Sequence, residues 1–123
     1  MTYEELDNIV KYLYEHNDSI CIPRNNSENT YIMNDHVYLK DGKLGFDYSL
    51  KVKEKTRRTS YDLLHKTYDY LMEHGKIGTK EFMTVFKNDN CFTSTYYVMQ
   101  GILAFAGIAQ IRFGAFYKVE PKK

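Results

Sequence analysis

The chain has 123 residues, a formal net charge of +1, and 43% hydrophobic, 27% charged and 15% aromatic residues. That length allows one domain with an appended structural unit, and the composition excludes a disordered polyampholyte. The near-neutral total hides an uneven distribution. Residues 1–20 carry one positive and five negative side chains, net −4, and residues 51–58 carry five positive and one negative, net +4. Residues 93–123 carry four positive and one negative, net +3. Twelve tyrosines and no tryptophan suit a surface made for contacts, because Tyr lies half-buried with its hydroxyl wet.

The opening MTYEELDNIV has neither a basic start nor an apolar run, so no signal peptide is expected. No segment reaches the roughly 18 apolar residues of a membrane helix. Cys21 and Cys91 stand far apart without CxxC spacing, as reduced thiols do. A cytoplasmic protein with no membrane association is the expectation.

Residues 2–16 predict a helix. Leu6, Ile9, Val10 and Leu13 form one apolar stripe at helical spacing, and Thr2 with Glu5 fits a capping box. SICIP then reads as a short strand and RNNSEN as a polar loop. In HVYLKDGKLGFDYSLKV, Asp41-Gly42 separates two apolar-rich arms. That pair predicts a hairpin with a tight primed turn. KVKEKTRRTS reads as a charged connector.

Thr59 or Ser60 caps a second helix that runs to His74, with Leu64, Tyr68 and Leu71 as its stripe and Gly75 as its stop. YEELDNIVKYLYEH and YDLLHKTYDYLMEH share Tyr, Leu, Tyr, Leu, Glu and His at a constant offset of 58. Two amphipathic helices with similar endings explain this echo, since His16 and His74 both sit where a cation favours a helix C-terminus. KIG is a short extended piece. Thr79 caps a short helix bearing Phe82, Val85 and Phe86. Thr93 or Ser94 caps a third helix ending near Phe105 and Gly107, and IAQIRFGAFYKV gives two strands.

The order of helix, short strand, short helix, turn, longer helix, Gly and hairpin resembles a winged helix-turn-helix domain over residues 59–119. Leu64, Tyr68, Leu71, Ile77, Phe82, Phe86, Leu103, Gly107 and Ile108 carry the resemblance. The expected fold class is therefore α+β. An N-terminal helix and small antiparallel sheet (1–58) precede the winged unit (59–123). The resemblance implies duplex DNA as partner, with the third helix in a major groove and the wing on the flanking backbone.

The third helix is an unusual reader. No charged side chain occurs from Asn90 to Ile111, whereas bases are normally read by Arg, Lys, Asn or Gln. Gln100 is its only amide. Thr93, Ser94 and Thr95 suit phosphates at a helix N-terminus, and Tyr97 suits a thymine methyl or a phosphate. The cations for phosphate contact are Lys51, Lys53, Lys55, Arg57, Arg58 and Arg112. A helix apolar nearly all round is usually buried on both sides. Gly101 in mid-helix marks a close approach by another backbone or a base. Tyr97, Gly101 and Phe105 are accordingly the candidate protein interface, covered by the N-terminal half, by a partner or by a second copy in a homodimer.

No catalytic pattern stands out. His16, His36, His65 and His74 lack HxH or HExxH spacing, and no Gly-rich phosphate loop occurs. No enzyme activity, metal or cofactor is expected. Two functions follow: a DNA-binding transcription regulator that holds duplex mainly through phosphates, or a protein-interaction module. A small phage or mobile-element protein that inhibits a host nucleic-acid enzyme, as an anti-CRISPR does, belongs to the second class.

Overall fold

The structure, a computed structural model, describes residues 1–17, 22–23, 30–39, 42–50, 56–89, 92–112 and 115–119. The fold is α+β. Helix α1 (Tyr3–Glu15) begins at the expected capping box: the Thr2 hydroxyl accepts from the Glu5 amide at 3.1 Å, and Glu5 accepts from the Thr2 amide at 3.0 Å. Leu6, Val10 and Leu13 are buried along one stripe. Sealing each in the core contributes roughly 1.5–3 kcal/mol.

Four strands follow in an antiparallel sheet ordered β1-β2-β3-β4: β1 (Ile22–Pro23), β2 (Thr30–Tyr38), β3 (Leu44–Leu50) and β4 (Thr56–Ser60). The β2–β3 hairpin is present, and the tight turn expected at Asp41-Gly42 falls partly outside the described residues, which leave out Lys40 and Asp41. The Gly42 amide donates to the Leu39 carbonyl at 2.9 Å, the Leu39 amide donates to the Lys43 carbonyl at 2.9 Å, and Gly42 has φ 83°. Gly42 is therefore in the left-handed region, a conformation that a side chain strains.

Strand β4 is a correction to the charged connector. Its five residues lack apolar alternation, yet they pair with β3 from Ser49↔Thr56 to Gly45↔Ser60. Buried Thr59 lies opposite Phe46. The expected boundary at 58/59 falls inside this strand.

The Ser60 hydroxyl accepts from the Leu63 amide at 2.9 Å and starts α2 (Tyr61–His74), and Gly75, at φ 80°, ends it. Then come β5 (Lys76–Ile77), α3 (Thr79–Val85), a 3₁₀ turn (Lys87–Asp89), α4 (Thr93–Phe105), β6 (Ala109–Arg112) and β7 (Ala115–Lys118). The caps lie earlier than expected, at Gly78 where Thr79 was expected for α3 and at Phe92 where Thr93 or Ser94 was expected for α4. The second sheet is ordered β5-β7-β6, with both pairings antiparallel. Buried side chains from Leu6 on α1 to Phe116 on β7 belong to one cluster, so the N-terminal and C-terminal halves share a core. No helix among the described residues is long and apolar enough to cross a membrane.

Candidate functional site

Helix α4 is where the sequence places both functional readings. Its start is fixed by a hydroxyl network. The Phe92 amide donates to the Thr95 hydroxyl at 3.1 Å. The Tyr48 hydroxyl, reaching across from β3, hydrogen-bonds the Thr95 hydroxyl at 2.9 Å and the Ser94 hydroxyl at 3.2 Å. Nearly two turns further, β1 meets the helix: a Cβ on Gly101 would fall 1.7 Å from Cγ2 of Ile22. The close approach expected at Gly101 is therefore made by the chain's own N-terminal sheet.

This arrangement redistributes the residues assigned to base reading. Thr95, Gln100 and Gly101 are buried, Ser94 and Tyr97 are half-buried, and Thr93 is exposed. Thr95 and Gln100 cannot touch a base in this conformation. The physical reason is the missing charge: an uncharged helix face costs little to bury, and the N-terminal sheet buries it. Gln100 has no exposure, and neither its Oε1 nor its Nε2 has a hydrogen-bond partner among the described residues. Gly101 contacts Ile22 of the N-terminal half, one of the surfaces expected to cover this face. Phe105 remains 48% exposed at the C-terminal end of the helix.

The cations divide likewise. Lys51, Lys53 and Lys55 lie outside the described residues. Arg57 and Arg58 are neighbours on β4, so their side chains point to opposite faces of the sheet. Arg57, opposite Tyr48 in register, places its guanidinium 4.0 Å from the Phe92 ring centroid at the start of α4. Arg58 turns the other way and donates from Nε to Asp47 Oδ1 at 3.1 Å. Exposed Arg112, on β6, donates from Nη2 to Gln110 Oε1 at 3.2 Å. Arg57, Thr93 and Ser94 are thus brought to one end of α4, and Arg58 and Arg112 are positioned by other contacts.

A second exposed surface joins Phe105, expected at an interface, to a residue that the sequence did not single out. Tyr12 on α1 is 45% exposed, and its ring lies 6.2 Å from that of Phe105 with 29° between planes. His16 stacks on the same Tyr12 ring at 4.1 Å, and its Nδ1 is 2.8 Å from the Tyr12 carbonyl. The echo at offset 58 was the available signal. In its other copy, Tyr70 and His74 also lie 4.1 Å apart, tilted by 31°. Tyr70 donates to Glu81 Oε2 at 2.5 Å and packs edge-on to Phe86. That hydrogen bond pushes the Tyr70 phenol above its ordinary range. The corresponding ring on α1 meets Phe105 and solvent.

An open cavity of about 380 Å³ lies between α1, α2 and the hairpin, lined by Asp7, Lys43, Leu44, Tyr61, Asp62 and His65. Its charges are paired. His65 Nε2 lies 2.7 Å from Asp7 Oδ1, with Tyr3 stacked flat on the imidazole at 4.1 Å. Lys43 and Lys66 reach Asp62 Oδ2 at 3.4 and 3.3 Å. Burial opposes ionisation of Asp62, but these two lysines outweigh it and hold the carboxyl below its ordinary range. The Tyr61 hydroxyl, a natural nucleophile or acid, lies 3.0 Å from Nδ1 of His36, whose Nε2 lies 2.7 Å from the Tyr14 hydroxyl. The cavity wall is an ion-paired seam between helices. Among the described residues, no three His, Cys, Asp or Glu side chains converge as a metal site would require.

No protein-family model, no curated protein and no solved structure matches this chain.

Proposed function

We propose that this protein is a protein-interaction module built on a winged helix-turn-helix framework whose third helix has been given over to internal packing. The succession α2–β5–α3–α4–β6–β7, with its β5-β7-β6 sheet, supports the winged-helix reading of residues 59–119. The observation that carries the functional part is the seating of Ile22 on Gly101, reinforced by Tyr48 on Thr95. A helix covered in this way presents little of its middle, where residues 98–103 are all buried, to a major groove. What remains for contact is the aromatic surface at its C-terminal end.

A second reading has one observation in its favour. Arg57, Thr93 and Ser94 meet at the N-terminus of α4, where backbone amides face outward and a phosphate is stabilised. On that reading the protein is a DNA-binding regulator that grips the duplex backbone.

Fluorescence anisotropy with random duplex DNA separates the two. The interaction module is expected to show no duplex binding tighter than about 10⁻⁴ M at physiological salt, the weak end of the non-specific range. Micromolar binding would overturn it, if log affinity fell against log salt with a slope near −4, from about four phosphates at roughly 0.9 each.

A further inference from the structure

We infer that the Tyr12–Phe105 surface docks a basic, arginine-bearing surface of a partner protein; this rests on the interaction-module reading and names the partner's chemistry. Two large rings, 45% and 48% exposed, lie side by side across α1 and α4. They are anchored beside fully packed residues: Val10 and Leu13 on α1 and Leu103 on α4 have at most 1% exposure. The aromatic floor is thus held rigid while its upper side stays open to solvent.

The charge around it selects the occupant. Helical spacing places Glu5, Asn8 and Glu15 on the Tyr12 side of α1, and all three are exposed. Lys11, one residue from Tyr12, points about 100° round the helix. Glu5 and Glu15 thus share the Tyr12 stripe with no lysine or arginine on it, and His16, one turn on, stacks on the ring. An arginine suits this rim better than a lysine, because its planar guanidinium lies flat on a ring and still presents a fork to a carboxylate. Nucleic acid is disfavoured here by the same carboxylates. A symmetric dimer through this face would set Glu5 and Glu15 against their own copies, a like-charge contact.

The test titrates the full chain with a labelled peptide of ten arginines and, separately, of ten lysines, at low and high salt. The arginine peptide is expected to bind the more tightly. Tyr12→Ala and Phe105→Ala should each weaken it roughly tenfold, the scale of losing one desolvated cation–ring contact. Glu15→Gln should weaken binding and flatten its salt dependence. Circular dichroism and melting of each variant confirm folding, which the half-exposed positions favour. Phe105→Leu keeps the apolar volume without the ring and should behave as Phe105→Ala does. Equal affinity for the two peptides, or unchanged affinity in Tyr12→Ala, overturns the proposal. Sedimentation showing self-association that Tyr12→Ala abolishes also overturns it, by giving the face to a second copy. Failure here with duplex still unbound discards the partner chemistry alone, whereas micromolar duplex binding discards the interaction-module reading beneath it.

Discussion

Gly101 of α4 and Ile22 of β1 touch so closely that a Cβ on the glycine would sit 1.7 Å from Cγ2 of the isoleucine. The atom in the way belongs to a β-branched side chain with little freedom at χ1, so it cannot swing aside cheaply. The contact joins the N-terminal sheet to the helix that a winged-helix protein would use for reading DNA.

Gly101→Ala is therefore expected to destabilise the protein by about 1–3 kcal/mol, the usual scale of overpacking. Helix propensity alone predicts a gain of about 1 kcal/mol, so the sign of the change decides. Ile22→Ala should relieve the clash, and a double-mutant cycle read by urea unfolding should return a favourable coupling between the two substitutions. A stabilised Gly101→Ala variant would show that β1 does not lie on α4.

Gln100 gives a change in the opposite direction. A fully buried amide with neither end hydrogen-bonded among the described residues loses its water contacts without replacement. Gln100→Met, of similar shape, is expected to stabilise by about 1–2 kcal/mol, seen as a higher urea midpoint at unchanged slope. A lower midpoint would mean that the amide is hydrogen-bonded after all.

The alkaline limb of stability should report Tyr96. Burial pushes this phenol up to about 12, above its unfolded value near 10. A raised folded value means that the favourable contribution is complete below pH 10 and is lost as pH rises from 10 to 12, because the unfolded chain releases its proton first. Two units correspond to roughly 2–3 kcal/mol. Unfolding free energies at pH 9 and pH 11.5 should fall more steeply for the native chain than for Tyr96→Phe. At neutral pH that variant loses the hydrogen bond to the Ile77 carbonyl, which costs about 1 kcal/mol. Parallel pH profiles would remove Tyr96 as the cause.

Much of this arrangement is written locally in the chain. The Thr2–Glu5 box, the Ser60 cap and the Gly75 stop are short-range devices, and each forms where the spacing puts it. The uncharged stretch from Asn90 to Ile111 announces burial on more than one side, and Gly101 marks where the second surface arrives. What could not be read was set by tertiary pairing. Thr56–Ser60 carries two arginines and no apolar alternation, and it becomes a strand because β3 offers it an edge. His65 and Asp7 are 58 residues apart in sequence, and nothing local joins them. Tyr12 lies off the apolar stripe of α1, so its exposure beside Phe105 depends on where α4 ends in space.

The most direct measurement of the central claim is the nuclear Overhauser effect between the Ile22 Cγ2 methyl and the Gly101 Hα protons, recorded in isotope-labelled protein with and without random duplex DNA. A strong cross-peak that persists unchanged when DNA is added is the predicted result, because the sheet stays seated on α4. Loss of the cross-peak on adding duplex, together with shifts at Thr95, Tyr97 and Gln100, would contradict it and show α4 uncovered for reading DNA.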